Sequence, residues 1–158
     1  HFTNTYEPYL SVTITKKVVG DMGDTTKNFS FTATLDTTQI RQGSAYTTAG
    51  DGAALTDTGF TLRSGGSVTL THLRADQTLT LTETDPGDHT VSWQLNGDDG
   101  PTGATCTLQV PRAQPAEITC INTRNVGIPT GLHTGAAPYL ALVGLCWLGW
   151  RLLRRREV

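Results

Sequence analysis

Short segments in which apolar and polar residues alternate constrain this fold more than any other feature. A period of two places every second side chain on the same face of a strand. Turn signals rich in Gly, Asp, Asn and Pro separate the segments. We predict eight strands, at residues 10–19, 28–35, 59–62, 67–73, 78–84, 89–95, 104–110 and 116–123. Short strands at this regular spacing predict an all-β protein built as a β-sandwich.

The composition favours β-strands and argues against nucleic acid as a partner. The chain has 158 residues, of which 29 are threonine and 17 are glycine, and threonine favours the half-buried surface of a sheet. Residues 1–135 carry eight basic and thirteen acidic side chains, a net charge of −5. A mildly acidic domain is not expected to bind nucleic acid. Residues 36–54 are polar, and we predict a long surface loop there with one helical turn at 37–42.

Three polar residues fall on the apolar side of predicted strands, where core residues are expected. They are Lys16, Glu83 and Asn122, and the apolar residues in phase with them are Val12, Ile14, Leu79, Leu81, Ile118 and Cys120. A lone buried Lys or Glu is costly, and such residues are almost never fully buried unless they are paired. We therefore predict that the three side chains meet inside the sandwich.

The segments around these residues resemble the pilin-type and collagen-adhesin B-type domains of Gram-positive surface proteins. The resemblance covers about residues 10–123 and is carried by VTITK at 12–16, GFTLRSGGSVTL at 59–70, LTE at 81–83 and INT at 121–123. It implies an Ig-like sandwich in which a Lys of the first strand and an Asn of the last join spontaneously in an isopeptide bond. By this resemblance Lys16 is the nucleophile, Asn122 the electrophile and Glu83 the catalytic proton shuttle.

Such a reaction requires these residue types in a buried site. An amine attacks a carboxamide only as free NH2, and burial favours both the neutral amine and a neutral carboxylic acid that donates to the amide oxygen. Fixed proximity supplies an effective molarity that reaches ~10^5 M or more. Glu83 would act once on its own chain, so the protein is not expected to be an enzyme. The alternative is a buried Lys16–Glu83 ion pair with Asn122 as a hydrogen-bond partner; the neighbouring Lys17 points outward by its parity.

Cys106 and Cys120 leave two interpretations open. A hairpin of the last two strands, turning at residues 111–115, would set them opposite each other on inward faces. Opposed residues of a non-hydrogen-bonded pair have Cα atoms ~4.5 Å apart, close to the lower limit for a disulfide. Two small buried thiols are the alternative, and we favour it because Gram-positive surface proteins tend to avoid disulfides. No metal ion or cofactor is expected.

The C-terminal end resembles the cell-wall sorting signal of Gram-positive surface proteins, which a sortase cuts between Thr and Gly. Ile128, Pro129, Thr130 and Gly131 form the motif, although the usual Leu-Pro-x-Thr-Gly has one more residue between Pro and Thr. Residues 136–153 follow as a predicted transmembrane helix. Eighteen residues at ~1.5 Å each nearly span a ~30 Å hydrocarbon core.

The basic residues at the end of the chain predict its orientation in the membrane. Arg151, Arg154, Arg155 and Arg156 should stay on the cytoplasmic side, which places the domain outside the cell. A buried C-terminal helix of a soluble domain is the alternative, but such a helix is rarely apolar all round. We expect residues 1–7 to be an end strand of a preceding domain or a linker, since Phe2–Thr5 resembles Cys120–Thr123. The sandwich is expected at 8–124, a linker at 125–135 and a cytoplasmic tail at 154–158.

Two functions follow as hypotheses. The first is a structural stalk domain of a cell-surface protein or minor pilin, single-pass in the cell membrane, or in the cell wall after sortase cleavage. Its partners would be the membrane, sortase, peptidoglycan and other surface-protein domains. The second is an adhesin module that binds a host glycan or matrix protein through the loop at 36–54. A surface hydrolase is disfavoured because no catalytic arrangement can be recognised.

Overall fold

Two sheets form a β-sandwich in the computed structural model, which describes residues 9–44, 47–112 and 114–127. The strands, numbered β1 to β12 in chain order, are Leu10–Val19, Phe29–Leu35, Thr38–Ile40, Thr47–Ala49, Ala53–Thr56, Gly59–Leu62, Ser67–Leu73, Thr78–Glu83, Thr90–Leu95, Asp98–Thr102, Thr105–Gln109 and Ala116–Thr123. No helix occurs among the described residues. The prediction of an all-β sandwich is confirmed.

The first and last strands lie side by side at the centre of one sheet. That sheet has the order β10-β9-β12-β1-β7-β4, and β1 and β12 run parallel in it. The other sheet has the order β11-β8-β2-β6-β5, with the short strand β3 also paired to β2. The remaining strand pairs are antiparallel. A chain that enters through β1 and leaves through β12 therefore begins and ends in neighbouring strands.

The core lies between the sheets and follows the alternation of the sequence. In β1 the residues Val12 and Ile14 are fully buried, whereas Lys17 is exposed. Large side chains from both sheets fill the interior: Phe29, Phe31, Phe60, Leu62, Leu70, Leu79, Leu81, Trp93 and Ile118. Interior packing of this kind is dense and tolerates little change in volume.

The predicted loop at 36–54 was wrong, because this region holds three short strands. β3 folds back on β2 through a turn in which Asp36 has φ of 53°, β4 extends the sheet beside β7, and β5 pairs with β6. The helical turn at 37–42 does not form. Edge strands of three or four residues bury little, and Ile40 alone of β3 is buried. Because the region is mostly polar, its sequence did not indicate these short strands.

The predicted hairpin of the last two strands was also wrong. β11 pairs with β8 in one sheet, whereas β12 lies in the other sheet between β9 and β1. The segment after Gln109 thus crosses from one sheet to the other instead of turning back on itself. Cys106 stands opposite Leu81, and Cys120 stands opposite Trp93. Both cysteines are buried, free thiols in this structure.

Several predicted segments lie outside the described residues: the end strand at 1–7, the sorting motif at 128–131, the transmembrane helix at 136–153 and the basic tail at 154–158. Within the part of the chain that the structure describes, no helix is long and apolar enough to cross a membrane.

Candidate functional site

Lys16, Glu83 and Asn122 come together between the two sheets. Lys16 of β1 is in register with Cys120 of the parallel strand β12, and Asn122 lies two residues further on the same inward face. Glu83 is the last residue of β8 in the opposite sheet. Their exposed fractions are 1%, 1% and 0%. The three side chains therefore meet inside the sandwich, as the sequence predicted.

One oxygen of Glu83 contacts both nitrogens of the cluster. Oε1 accepts a hydrogen bond from Nδ2 of Asn122 at 2.8 Å and lies 3.5 Å from Nζ of Lys16. We expected the carboxyl group to face the oxygen of the Asn122 amide, but here it faces the nitrogen. The carboxyl group thus stands between an amine and the nitrogen that would leave as ammonia.

Aromatic rings close the site around the amine. Nζ of Lys16 lies 4.6 Å from the centroid of the Phe29 ring and 6.0 Å from that of Phe31. Phe31 stacks on Phe60 at 5.4 Å between centroids, and it stands opposite Glu83 in the β2–β8 pair. The sequence pattern did not reveal the contacts of Phe29 and Phe31 with Lys16, because these contacts cross from one sheet to the other.

Burial shifts the protonation equilibrium of the amine. Desolvation lowers the pKa of Lys16 from its ordinary value of 10.5, while Cys120 and Glu83 oppose the shift. A lowered pKa increases the fraction of free amine at a given pH, and the free amine is the nucleophilic form. The environment of Lys16 therefore favours the reactive state.

Cys120 is a fourth member of this cluster, which the sequence argument treated as a buried core residue or as half of a disulfide. Its Sγ lies 3.5 Å from Nζ of Lys16, 3.7 Å from Oε2 of Glu83 and 3.9 Å from Oδ1 of Asn122. Burial raises the pKa of the Cys120 thiol to about 12. The sequence did contain a signal for this position, because Cys120 precedes Asn122 by two residues and therefore lies on the same face of the strand.

A separate groove lies outside the polar cluster. It has a volume of about 580 Å³ and is lined by Tyr9, Leu35, Asp36, Thr38, Gln39, Ile40, Ser44, His72, Arg74 and Gln77. The rings of Tyr9 and His72 lie 5.2 Å apart at its edge. Part of the lining comes from the region predicted to be a surface loop, so the groove is where the binding hypothesis can be tested.

Comparisons with known proteins agree with this architecture. A curated pilin of Streptococcus pyogenes serotype M1 is 28% identical over 84% of this chain and 44% of the pilin. The structure of the major pilin from Streptococcus pyogenes matches with 23% identity and a TM-score of 0.52, over 73% of this chain and 48% of that chain. A bacterial adhesin from Mobiluncus mulieris, containing intramolecular disulfide, isopeptide and ester bond cross-links, matches with 16% identity and a TM-score of 0.53, over 73% and 41%.

These likenesses confirm the resemblance to Gram-positive pilins and adhesins that the sequence motifs indicated. The two solved structures show a shared fold, and this chain spans less than half the length of each of these three relatives. Residues 10–124 match the profile of a family described as a domain of unknown function, DUF7601, and the chain belongs to that family.

Proposed function

We propose that this chain is a structural stalk domain of a bacterial cell-surface protein or minor pilin, stabilised by an isopeptide bond between Lys16 and Asn122. The observation that carries the proposal is the position of Glu83 Oε1, which contacts the amine nitrogen and the amide nitrogen in a buried site. The Mobiluncus mulieris adhesin, which contains an isopeptide cross-link, shares the fold and lends support.

The chemistry follows from that contact. Lys16 Nζ, as free amine, adds to Cγ of Asn122, and a proton passes from Nζ through Oε1 of Glu83 to Nδ2. The Cγ–Nδ2 bond then breaks, ammonia leaves, and an amide joins the two side chains. Glu83 regains its starting state, so no external reactant is required. General acid–base transfer of this kind contributes typically ~10²–10⁴-fold to a rate.

The position of the bond explains what it would do for a stalk. It would join β1 to β12, the strands through which the chain enters and leaves the domain. Tension applied to the two ends would pass directly between these strands through the new amide. Closing a loop of ~100 residues also removes roughly 4–5 kcal/mol of unfolded-state entropy by the estimate used for disulfides. The bond would therefore oppose mechanical and thermal unfolding.

Intact-mass measurement of the purified chain tests the proposal. We expect the parent to lack one ammonia relative to its sequence, and Lys16→Ala and Asn122→Ala to have full mass. Lys17→Ala is the matched control, because it removes the adjacent, exposed lysine and should leave the ammonia loss intact. A parent of full mass would mean an ordinary sandwich with a buried ion pair.

We further propose that the C-terminal segment anchors this domain at the cell surface. Residues 136–153 would form the membrane helix, the four arginines at 151 and 154–156 would face the cytoplasm, and sortase would act at Thr130. Expression of the chain with and without residues 132–158 tests the anchor. The full chain should sediment with membranes and the truncated chain should not. Peptidoglycan-linked protein after muramidase treatment would reveal sortase cleavage.

The groove favours a second candidate, an adhesin module that binds a host glycan or matrix protein. Its aromatic edge at Tyr9 and His72 and its polar lining suit a carbohydrate, since such pockets combine apolar rings with a few oriented polar groups. A glycan array and immobilised matrix proteins test this candidate. Binding that is lost in Tyr9→Ala but kept in Tyr9→Phe would support it.

A further inference from the structure

The thiol of Cys120 contacts all three of the reacting groups. Its strand position places it opposite Lys16 and two residues before Asn122. Its Sγ lies within 3.5–3.9 Å of Lys16 Nζ, Glu83 Oε2 and Asn122 Oδ1. A single side chain therefore contacts the nucleophile, the proton shuttle and the oxygen of the electrophile.

The oxygen of Asn122 needs a hydrogen-bond donor that Glu83 does not supply in this geometry. Oε1 of Glu83 is directed at the two nitrogens. When the amine adds to Cγ, negative charge develops on Oδ1, and donors aimed at such an oxygen lower the barrier. Among the described residues, Cys120 is the side chain that the structure places as a donor to Oδ1.

The state of the thiol suits this role. Burial raises its pKa to about 12, so the sulfur keeps its hydrogen at neutral pH. With one hydrogen, the thiol bonds to Oε2 of Glu83 or to Oδ1 of Asn122 at any moment. Development of charge on Oδ1 would draw the hydrogen toward that atom, because a hydrogen bond to a charged acceptor is roughly twice as strong.

We propose that Cys120 is the hydrogen-bond donor that stabilises the oxyanion of Asn122 while the isopeptide bond forms. The inference rests on the proposed function. The thiol keeps its hydrogen throughout: the new bond is Nζ–Cγ, the broken bond is Cγ–Nδ2, and the proton travels from Nζ through Glu83 to the departing ammonia.

Two substitutions separate hydrogen bonding from packing. Cys120→Ser keeps a donor but is a poorer fit to an apolar core, whereas Cys120→Val fills the space and removes the donor. The full 158-residue chain would be made by cell-free synthesis in detergent, quenched in acid at intervals and weighed. We expect ammonia loss to be at least ~10-fold slower in Cys120→Val and close to the parent in Cys120→Ser, since removing an oxyanion donor slows known reactions ~10²–10³-fold.

Cys106→Val is the matched control, because it replaces the other buried thiol, which lies in the other sheet from Cys120 and pairs with Leu81 of the neighbouring strand. It should react at the parental rate. Equal rates in Cys120→Val and the parent, or a Cys120→Ser variant as slow as Cys120→Val, would overturn the inference while leaving the bond intact. A parent that loses no ammonia would overturn the proposed function itself. Should Cys120→Val not fold, Cys120→Ala against Cys120→Ser makes the same comparison.

Discussion

Glu83 and Asn122 are hydrogen-bonded across the interior of the sandwich, Oε1 to Nδ2 at 2.8 Å, although they belong to opposite sheets. Lys16 and Asn122, by contrast, lie on neighbouring strands of one sheet. Packing of the two sheets therefore brings the carboxyl group to the other two residues. Bond formation should consequently depend on the folded core, and a denatured chain should show none.

Replacing Glu83 by Gln tests whether the carboxyl group is needed for chemistry or only for structure. Glutamine retains the hydrogen bond from Asn122 but cannot carry a proton from Nζ to Nδ2. We expect full, unmodified mass in Glu83→Gln and a strand content by circular dichroism equal to that of the parent. Ammonia loss at the parental rate in this variant would show that Glu83 is not the proton shuttle.

The rate of bond formation should depend on pH through Lys16. Because burial lowers the pKa of this amine below 10.5, the free-amine fraction reaches one half at a pH below 10.5 and then approaches its maximum. Ammonia loss followed at a series of pH values should therefore accelerate with pH, reach half its maximal rate below pH 10.5 and then level off. The charged and titratable side chains that contact Lys16 are Glu83 and Cys120. A half-maximal rate at or above pH 10.5 would contradict a lowered pKa.

Stability of the unlinked protein should vary with pH for the same reason. Asn122→Ala keeps Lys16 but cannot form the bond. The amine's folded-state pKa is depressed, so its contribution to stability is fully present above pH 10.5 and is lost as pH falls through the folded-state value. Two buried thiols oppose this gain at high pH, because burial raises the pKa of Cys106 and of Cys120 and the unfolded chain ionises first. Urea unfolding of Asn122→Ala should therefore be compared with Lys16→Met in the same background, which keeps both thiols and removes the amine. As pH rises toward 10.5, the free energy of unfolding of Asn122→Ala should increase relative to that of the double variant.

Much of the site could be predicted from sequence, because the face on which a strand residue lies follows from the alternation of apolar and polar residues. Alternation placed Lys16, Glu83 and Asn122 on inward faces, and the cost of burying single charges implied that they meet. Pairing between strands could not be read in this way: the crossing from β11 to β12 concealed the true neighbours of Cys106 and Cys120. Alternation along a strand determines which face a residue occupies. Which strand pairs with which depends on the arrangement of the whole sandwich.

Short edge strands were missed for a related reason. β4 and β10 lie at the two edges of one sheet, where a strand has a neighbouring strand on one side only. Asn96 and Gly97, between β9 and β10, both have positive φ, as a two-residue type I′ hairpin requires. The strand after this turn was not predicted, because β10 buries none of its side chains.

The last prediction concerns the ring that covers the amine. Phe29 is fully buried, and its centroid lies 4.6 Å from Nζ of Lys16. In Phe29→Ala the cavity should lower the free energy of unfolding by ~3–5 kcal/mol. The loss of an apolar neighbour should also weaken the desolvation of the amine, so that bond formation levels off at a higher pH than in the parent.

Phe60→Ala separates these two effects. Phe60 is equally buried and stacks on Phe31, so its removal should cost a similar free energy by urea unfolding of the unlinked Asn122→Ala background. The Phe29 ring would remain over the amine in that variant, and the pH at which the reaction levels off should stay parental. If both variants shifted that pH equally, the ring over Lys16 would have no specific part in lowering its pKa, and general loosening of the core would explain the change.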